Sequence, residues 1–597
     1  MKRYASKSLV ILTGLCFLLQ GSDLVAQSSA KVEQLLSKMT LDEKIGQMTQ
    51  VDLLAIKDKA DVAKYFLGSV LSGGGSDPAD NKPATWKASC DEVQMQALKT
   101  RLKIPLIYGV DAVHGHNNIE GAVVFPHNVG LGATRNPKLV ERAAQITARE
   151  VAATGIHWAF APCVAVSKDI RWGRSYESFG ECPDLAGELG AAAVRGFQTR
   201  LPGGFRVLAS TKHFAGDGGT ENGIDQGNTI CDEATFRKIH LAPYLPAIRA
   251  NSGTIMVSYN SWNGDKMHGN KHLLTDILKK EFGFQGFLIS DWAAIDQLPG
   301  DYKTEIESSI NAGLDMMMIP NGPGQAKNYA EFISLTRELV LEKRIPQERI
   351  DDAVRRILRA KFQSGVFEHP FASPNLMSEL GSPAHRKVAR DCVRQSAVLL
   401  KNDRNALPLS TKAGTVTVVG KGADDLGMQC GGWTIDWQGK SGNLTPGGTT
   451  ILAGLKNALR NSVNLTYSPD GSALNQASTV VVVIGEQPYA EMKGDKKDLS
   501  IQSEDAALVE KAKASGAKVV TILLSGRPLI LGSVLEQSDA LLAAWLPGTE
   551  GQGVADVLVG AYRPTGKLPR FWPRSNAQLG QPTVTDPQFS FGYGLTY

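Results

Sequence analysis

The sequence predicts an α/β chain in two parts, a (β/α)8 TIM-like barrel followed by an α/β open-sheet sandwich domain. Three observations lead there. Between about residues 45 and 320, eight short β-branched or apolar runs alternate with longer helical patterns, the rhythm of parallel strands joined by crossover helices. Four of those runs end on chemically capable side chains: Asp111 after the third, Lys212 and His213 after the fifth, Tyr259 after the sixth and Asp291 after the seventh. A Pro/Ser/Gly-rich stretch, Pro370 to Pro383, then breaks the rhythm, and continuous apolar runs resume beyond it.

The barrel runs are expected at Ile45 to Met48, Leu67 to Leu71, Pro105 to Val110, Trp158 to Pro162, Val207 to Thr211, Thr254 to Ser258, Gly286 to Ser290 and Met316 to Ile319. The first also reads as the end of a helix. Between the third and fourth, Asn136 caps a helix, Pro137 occupies its first turn, Leu139, Ala143 and Ile146 share a face, and Gly155 stops it. Another helix runs from Leu273 into Gly283. In the second part, Thr415 to Val419, Val480 to Ile484, Val519 to Leu524 and Leu541 to Trp545 are continuous apolar runs, suited to a parallel sheet covered on both faces. Glu504 to Ala514 is helical between two of them. The turn Val419-Gly420-Lys421-Gly422 has Asp425 where a dinucleotide loop needs its third glycine, so nucleotide binding is not expected.

Composition excludes several classes. The 597 residues carry 64 Lys+Arg against 60 Asp+Glu and are 42% hydrophobic, enough for more than one core and without the charge of a nucleic-acid binder. Lys2, Arg3 and Lys7 precede the apolar run Leu9 to Leu19, and small residues surround Ala26, the layout of a secretory signal. The run is shorter than the roughly 20 residues of a spanning helix. Cleavage near Ala26 removes those three cations and Asp23, lowering the net charge from +4 to +2. The expected division is a signal segment at 1–26, the barrel at 27–369, a linker at 370–384 and the second domain at 385–597. The chain is expected to be exported, periplasmic or secreted, with no membrane attachment after cleavage. Cys90, Cys163, Cys182, Cys231, Cys392 and Cys430 are too sparse for a disulfide scaffold and have no zinc-ligand spacing.

Asp291 ends an apolar strand and is followed by Trp292. An acid at a barrel mouth beside a flat ring suits a sugar, whose C–H faces stack on aromatics while its hydroxyls seek polar partners. Glycosidic hydrolysis needs two carboxyls flanking the anomeric carbon. Spacing alone does not select the second, because Glu486, Glu491 and Asp495 lie close together on one loop.

The segments Tyr108 to Asn118 (YGVDAVHGHNN), Arg171 to Phe179 (RWGRSYESF), Lys212-His213-Phe214, Gly286 to Trp292 (GFLISDW) and Phe591 to Tyr597 (FGYGLTY) together resemble glycoside hydrolase family 3. The resemblance spans nearly the whole chain beyond residue 26. Gly431 to Gly439 (GGWTIDWQG) and Gly485 to Asp495 (GEQPYAEMKGD) are most similar to the family's exo-acting β-glucan glucohydrolases and β-glucosidases. The resemblance implies Asp291 as nucleophile and Glu491, from the second domain, as general acid/base. It implies sugar-binding or positioning roles for Asp111, Arg174, Lys212, His213 and Tyr259, an aromatic clamp from Trp292 and Trp437 with Trp433 nearby, and Glu486 lining the acid/base loop. The family's N-acetylglucosaminidases carry a histidine in a pattern ending Asp-Ser-His; here that stretch reads Asp225-Gln226-Gly227. Gln297 stands where close relatives often have Arg.

The expectation is therefore a retaining exo-β-glucosidase or exo-1,3/1,4-β-glucanase that releases glucose from non-reducing ends of β-linked gluco-oligosaccharides and β-glucans. No cofactor, metal or nucleic acid is expected, and oligomeric state is not legible. A β-xylosidase or β-N-acetylglucosaminidase of the same family, or a non-catalytic carbohydrate-binding protein, are the alternatives.

Overall fold

A computed structural model describes residues 29–412, 414–460, 463–474, 477–581 and 584–597. The signal segment expected at 1–26 lies outside them. Eight parallel strands form the first sheet: β1 Thr49–Asp52, β2 Ser69–Ser72, β3 Ile107–Val110, β4 Trp158–Ala159, β5 Leu208–Phe214, β6 Thr254–Val257, β7 Phe287–Ile289 and β8 Met317–Ile319. They pair in the order β7-β6-β5-β4-β3-β2-β1-β8. A parallel bridge from Ile289 to Met316, with Ser290 N–H donating to Met316 O at 3.0 Å, joins the two ends and closes the barrel.

Seven of the eight expected runs overlap these strands; the first does not. Thr40 and Glu43 form a capping box that starts a helix, Leu41–Gln47, so Ile45 to Met48 belongs to the helix and its C-cap. The strand follows it, at Thr49–Asp52. Its polar Gln50 turns into the barrel and donates to Ser69 Oγ at 2.8 Å. The Asn136-capped helix spans Pro137–Ala153, its cap oxygen accepting from Leu139 N–H at 3.2 Å.

The second sheet has six strands: β9 Val398–Asn402, β10 Thr415–Val419, β11 Asn464–Tyr467, β12 Thr479–Gly485, β13 Lys518–Leu524 and β14 Ala540–Trp545. Their order is β9-β14-β13-β12-β10-β11, with β9 antiparallel to β14 and the other pairs parallel. The central strands are buried on both faces, as their continuous apolar runs require. The C-terminal tail returns to this edge, Leu595 N–H donating to Leu399 O at 2.8 Å.

The joining segment is fastened to the barrel. Arg149 forks onto Glu379, both contacts 2.6 Å, and buried Glu150 accepts from Gly381 N–H and from His385 Nδ1. No helix among the described residues is long and apolar enough to cross a membrane.

Trp158 fills the middle of the barrel. It is fully buried, meets Phe160 and Phe287 edge-on at 5.0 and 5.1 Å, and donates its indole N–H to Thr254 Oγ1 at 2.9 Å. Trp158→Ala leaves a cavity and removes the donor to that hydroxyl; a loss of about 3–5 kcal/mol in urea unfolding is expected.

Candidate active site

The chemically capable residues gather where the barrel strands end. Asp111 directly follows β3, Tyr259 lies two residues beyond β6 and Asp291 two beyond β7; Lys212 and His213 are inside β5, which runs on to Phe214. Asp291 is anchored through its backbone: its N–H donates to His268 Nε2 at 3.1 Å, and its Oδ1 accepts from Trp292 N–H at 2.8 Å. Its Oδ2 is buried and has no hydrogen-bond partner. Burial pushes this carboxyl up to about 6, against the pull of Arg174, Lys212 and the Trp292 N–H.

Arg174, in the turn before Ser175–Glu177, is the hub of the site. Its Nε and Nη2 fork onto Glu177 at 2.8 and 3.0 Å, Nη2 also reaches His213 Nε2 at 3.0 Å, and Nη1 lies 3.2 Å from Glu491 Oε1. His213 Nε2 is in turn 3.8 Å from Asp291 Oδ2. Asp291 and Glu491 are thus linked through one histidine and one guanidinium. Burial, with Arg174 and Lys212 alongside, holds His213 well below the usual histidine range, so the ring is neutral. On its far side Nδ1 meets Asp217 Oδ2 at 2.8 Å. Burial pushes Asp217 up to about 8, against the pull of Arg174 and of the Gly218 N–H, which donates to its Oδ1 at 3.1 Å.

Glu491 comes from the second domain, on the loop after β12. Burial pushes it up to about 8; Arg174 opposes this, and the negative charges of Asp225, Asp291 and Glu177 add to it. Its loop is tied to the barrel by backbone contacts. Asp495 accepts from Gly173 N–H and Asp225 N–H, both at 2.8 Å, and Tyr176 OH donates to Tyr489 O at 2.7 Å. Gly173 has to be glycine: a Cβ there would stand 2.1 Å from Glu491 O and 2.7 Å from the Gly494 backbone.

Lys212 Nζ donates to Asp111 Oδ1 at 2.8 Å and lies 5.7 Å from the centre of the Trp433 ring, whose N–H donates to Glu177 Oε1 at 3.2 Å. Tyr259 OH donates to Trp292 O. Trp292 is 39% exposed, and Trp437 packs half-buried on the second-domain core that contains Trp433. Glu486 is placed differently from the expectation. Its Oε1 accepts from Arg527 Nε and Nη2 at 3.3 and 3.2 Å, and its Oε2 accepts from Gly526 N–H and Tyr489 OH. Both oxygens are consumed inside the second domain, so Glu486 is a buried anchor of the loop.

Sequence reading missed Glu177, Asp217 and Asp225. Glu177 lay three residues after Arg174 in a segment already singled out, and Asp217 four after His213. Cys163, His213 and Asp217 offer ligand atoms within 4.8 Å of one another. Both His213 nitrogens are engaged, and two cations crowd the cluster, so the trio does not fit a metal ion.

Comparison with known proteins follows the same division. Residues 40–360 match the "Glycosyl hydrolase family 3 N terminal domain" and residues 397–597 the "Glycosyl hydrolase family 3 C-terminal domain". The chain is similar to the exo-1,3/1,4-beta-glucanase of a Pseudoalteromonas species, with a TM-score of 0.90 and 42% identity over 96% of this chain and 74% of that one. It is 35% identical to a lysosomal beta glucosidase of Dictyostelium discoideum over 95% of this chain and 76% of the relative. A periplasmic beta-glucosidase of Salmonella typhimurium is 31% identical over 95% and 80%.

Arg527 is fully buried, and its Nη1 donates to Ile170 O in the barrel at 3.0 Å. Arg527→Met strands the Glu486 carboxylate and removes the donors to Ile170 O and Gly494 O; a loss of about 3–5 kcal/mol in urea unfolding is expected, of which the double variant with Glu486→Gln recovers only the part due to the stranded charge.

Proposed function

The chain belongs to glycosyl hydrolase family 3, and from that premise we propose that it is a retaining exo-β-glucosidase acting on β-linked gluco-oligosaccharides and β-glucans from their non-reducing ends. In this reading Asp291 attacks the anomeric carbon through Oδ2 and Glu491 protonates the departing oxygen. Asp291 then carries the sugar as a covalent ester until water, deprotonated by Glu491, releases glucose with net retention.

One observation carries the reading: two carboxyls from different domains, linked through Arg174 and His213, are pushed up by burial to different extents. Between about 6 and about 8, Asp291 is ionised and Glu491 still holds its proton. Arg174 and Lys212 supply the positive charge that favours an ionised nucleophile in a buried setting. Asp111 and Lys212, mutually paired, offer an acceptor and donors suited to sugar hydroxyls, and exposed Trp292 offers a face for the sugar beyond the cleavage point. Neither domain carries both carboxyls, and this supports catalysis at their junction. The basic, apolar and small-residue layout of 1–26 supports export.

Asp291→Asn is expected to lower turnover of cellobiose and laminaribiose by at least about 10,000-fold. Glu491→Ala is expected to lose about 100- to 10,000-fold on these sugars, to spare dinitrophenyl β-glucoside, and to be rescued by azide with formation of β-glucosyl azide. Normal cellobiose hydrolysis by Asp291→Asn would refute the assignment. The kcat/KM profile should rise through about pH 6 as Asp291 ionises and fall through about pH 8 as Glu491 loses its proton. In Glu491→Gln the upper limb should disappear.

A further inference from the structure

His213 holds a position that the reaction scheme above leaves unused. Arginine only donates hydrogen bonds, so His213 Nε2, 3.0 Å from Arg174 Nη2, is the lone-pair nitrogen. The ring proton therefore sits on Nδ1 and is donated to Asp217 Oδ2 at 2.8 Å. Asp217 is itself held by Gly218 N–H on its other oxygen, 3.1 Å away, and both Asp217 and His213 are buried. The same Nε2 lies 3.8 Å from Asp291 Oδ2, the buried oxygen without a hydrogen-bond partner.

We propose that Asp217 is a positioning residue that fixes the Nδ1–H tautomer of His213, keeping the attacking oxygen of Asp291 free of a hydrogen bond and seating Arg174 against Glu491. The inference rests on the reading of Asp291 as nucleophile. In the other tautomer an N–H points at both Arg174 and Asp291 Oδ2. The first contact sets two donors against each other; the second occupies a lone pair that has to reach the anomeric carbon. A neutral histidine that only accepts at this position leaves Asp291 nucleophilic, while Arg174 and Lys212 keep it ionised.

The test is the order of two variants. In Asp217→Asn the amide oxygen stays with the Gly218 N–H and the NH2 group faces His213 Nδ1, which then has to accept, so the ring proton moves to Nε2. In Asp217→Ala nothing faces Nδ1, so the tautomer is held less firmly, but Arg174 still disfavours a proton on Nε2 and the loss is partial. The rate of trapping by 2-deoxy-2-fluoro-β-glucosyl fluoride is therefore expected to fall by about 100-fold or more in Asn but to stay within about tenfold of the parent in Ala. This order should hold even though Ala removes more packing and lowers Tm further. A role in packing alone gives the reverse order, Asn close to the parent and Ala slower, and that result overturns the proposal. Mass spectrometry of the trapped peptide separates the proposal from its premise: label on a residue other than Asp291 removes the nucleophile, whereas label on Asp291 with the reverse order removes only the role of Asp217. If Asp217→Asn does not fold, 15N spectra of the histidine-labelled parent decide, with His213 assigned by its loss in His213→Gln. A proton on Nδ1 is expected, and a proton on Nε2 overturns the proposal.

Discussion

The site depends on keeping one guanidinium out of water among carboxylates. Arg174 is buried with Glu177, His213 and Glu491 around it, and a charge so placed is tolerated only when its donors are matched. Glu177 takes two of them in a forked, charge-assisted pair that fixes the plane of the group. What remains points at His213 and at Glu491. Moving Glu177 would swing the guanidinium, and with it the partner of the proposed proton donor and the neighbour of the proposed nucleophile.

Division of labour between the domains follows from this. The barrel supplies the anchored carboxylate and the cations, on strand ends that tolerate little movement. The second sheet supplies a loop whose acid is pushed toward its neutral form by burial against the barrel. The loop is shaped by main-chain contacts more than by side-chain packing: Asp495 bridges Gly173 and Asp225, Arg527 grips Gly494 O at 2.6 Å, and glycine at 173 lets the two backbones touch. Desolvation of Glu491 is therefore a property of the junction.

Much of the architecture is legible in sequence because apolar runs are forced to be continuous or periodic. The barrel, most of its strand positions and the helix at Pro137–Ala153 follow from that alone, and Asp291 stands out because an apolar strand stops just before it. The legibility fails where polar residues do structural work. Gln50 and Asp52 hide β1, since a strand facing a hydrogen-bonded barrel interior need not look apolar. β11 sits at a sheet edge with alternating exposure, and β9 closes the opposite edge antiparallel, a partner choice no local pattern dictates. Among the acids, Glu177, Asp217 and Glu486 look alike in sequence. Only the placement of Arg174, His213 and Arg527 around them shows that all three support other side chains.

The tie between Arg527 and the loop carrying Glu491 has a consequence for how the protein comes into being. β13, which precedes Arg527, and β14, which follows it, are the strands that set this arginine in place, and the tail braces β9, the edge strand paired with β14. In chain order the barrel residues Arg174, Lys212 and Asp291 come before both the loop of Glu491 and the arginine that grips it. A chain cut between Glu491 and Arg527 would thus carry its acid on a loop with nothing to clamp it against the barrel.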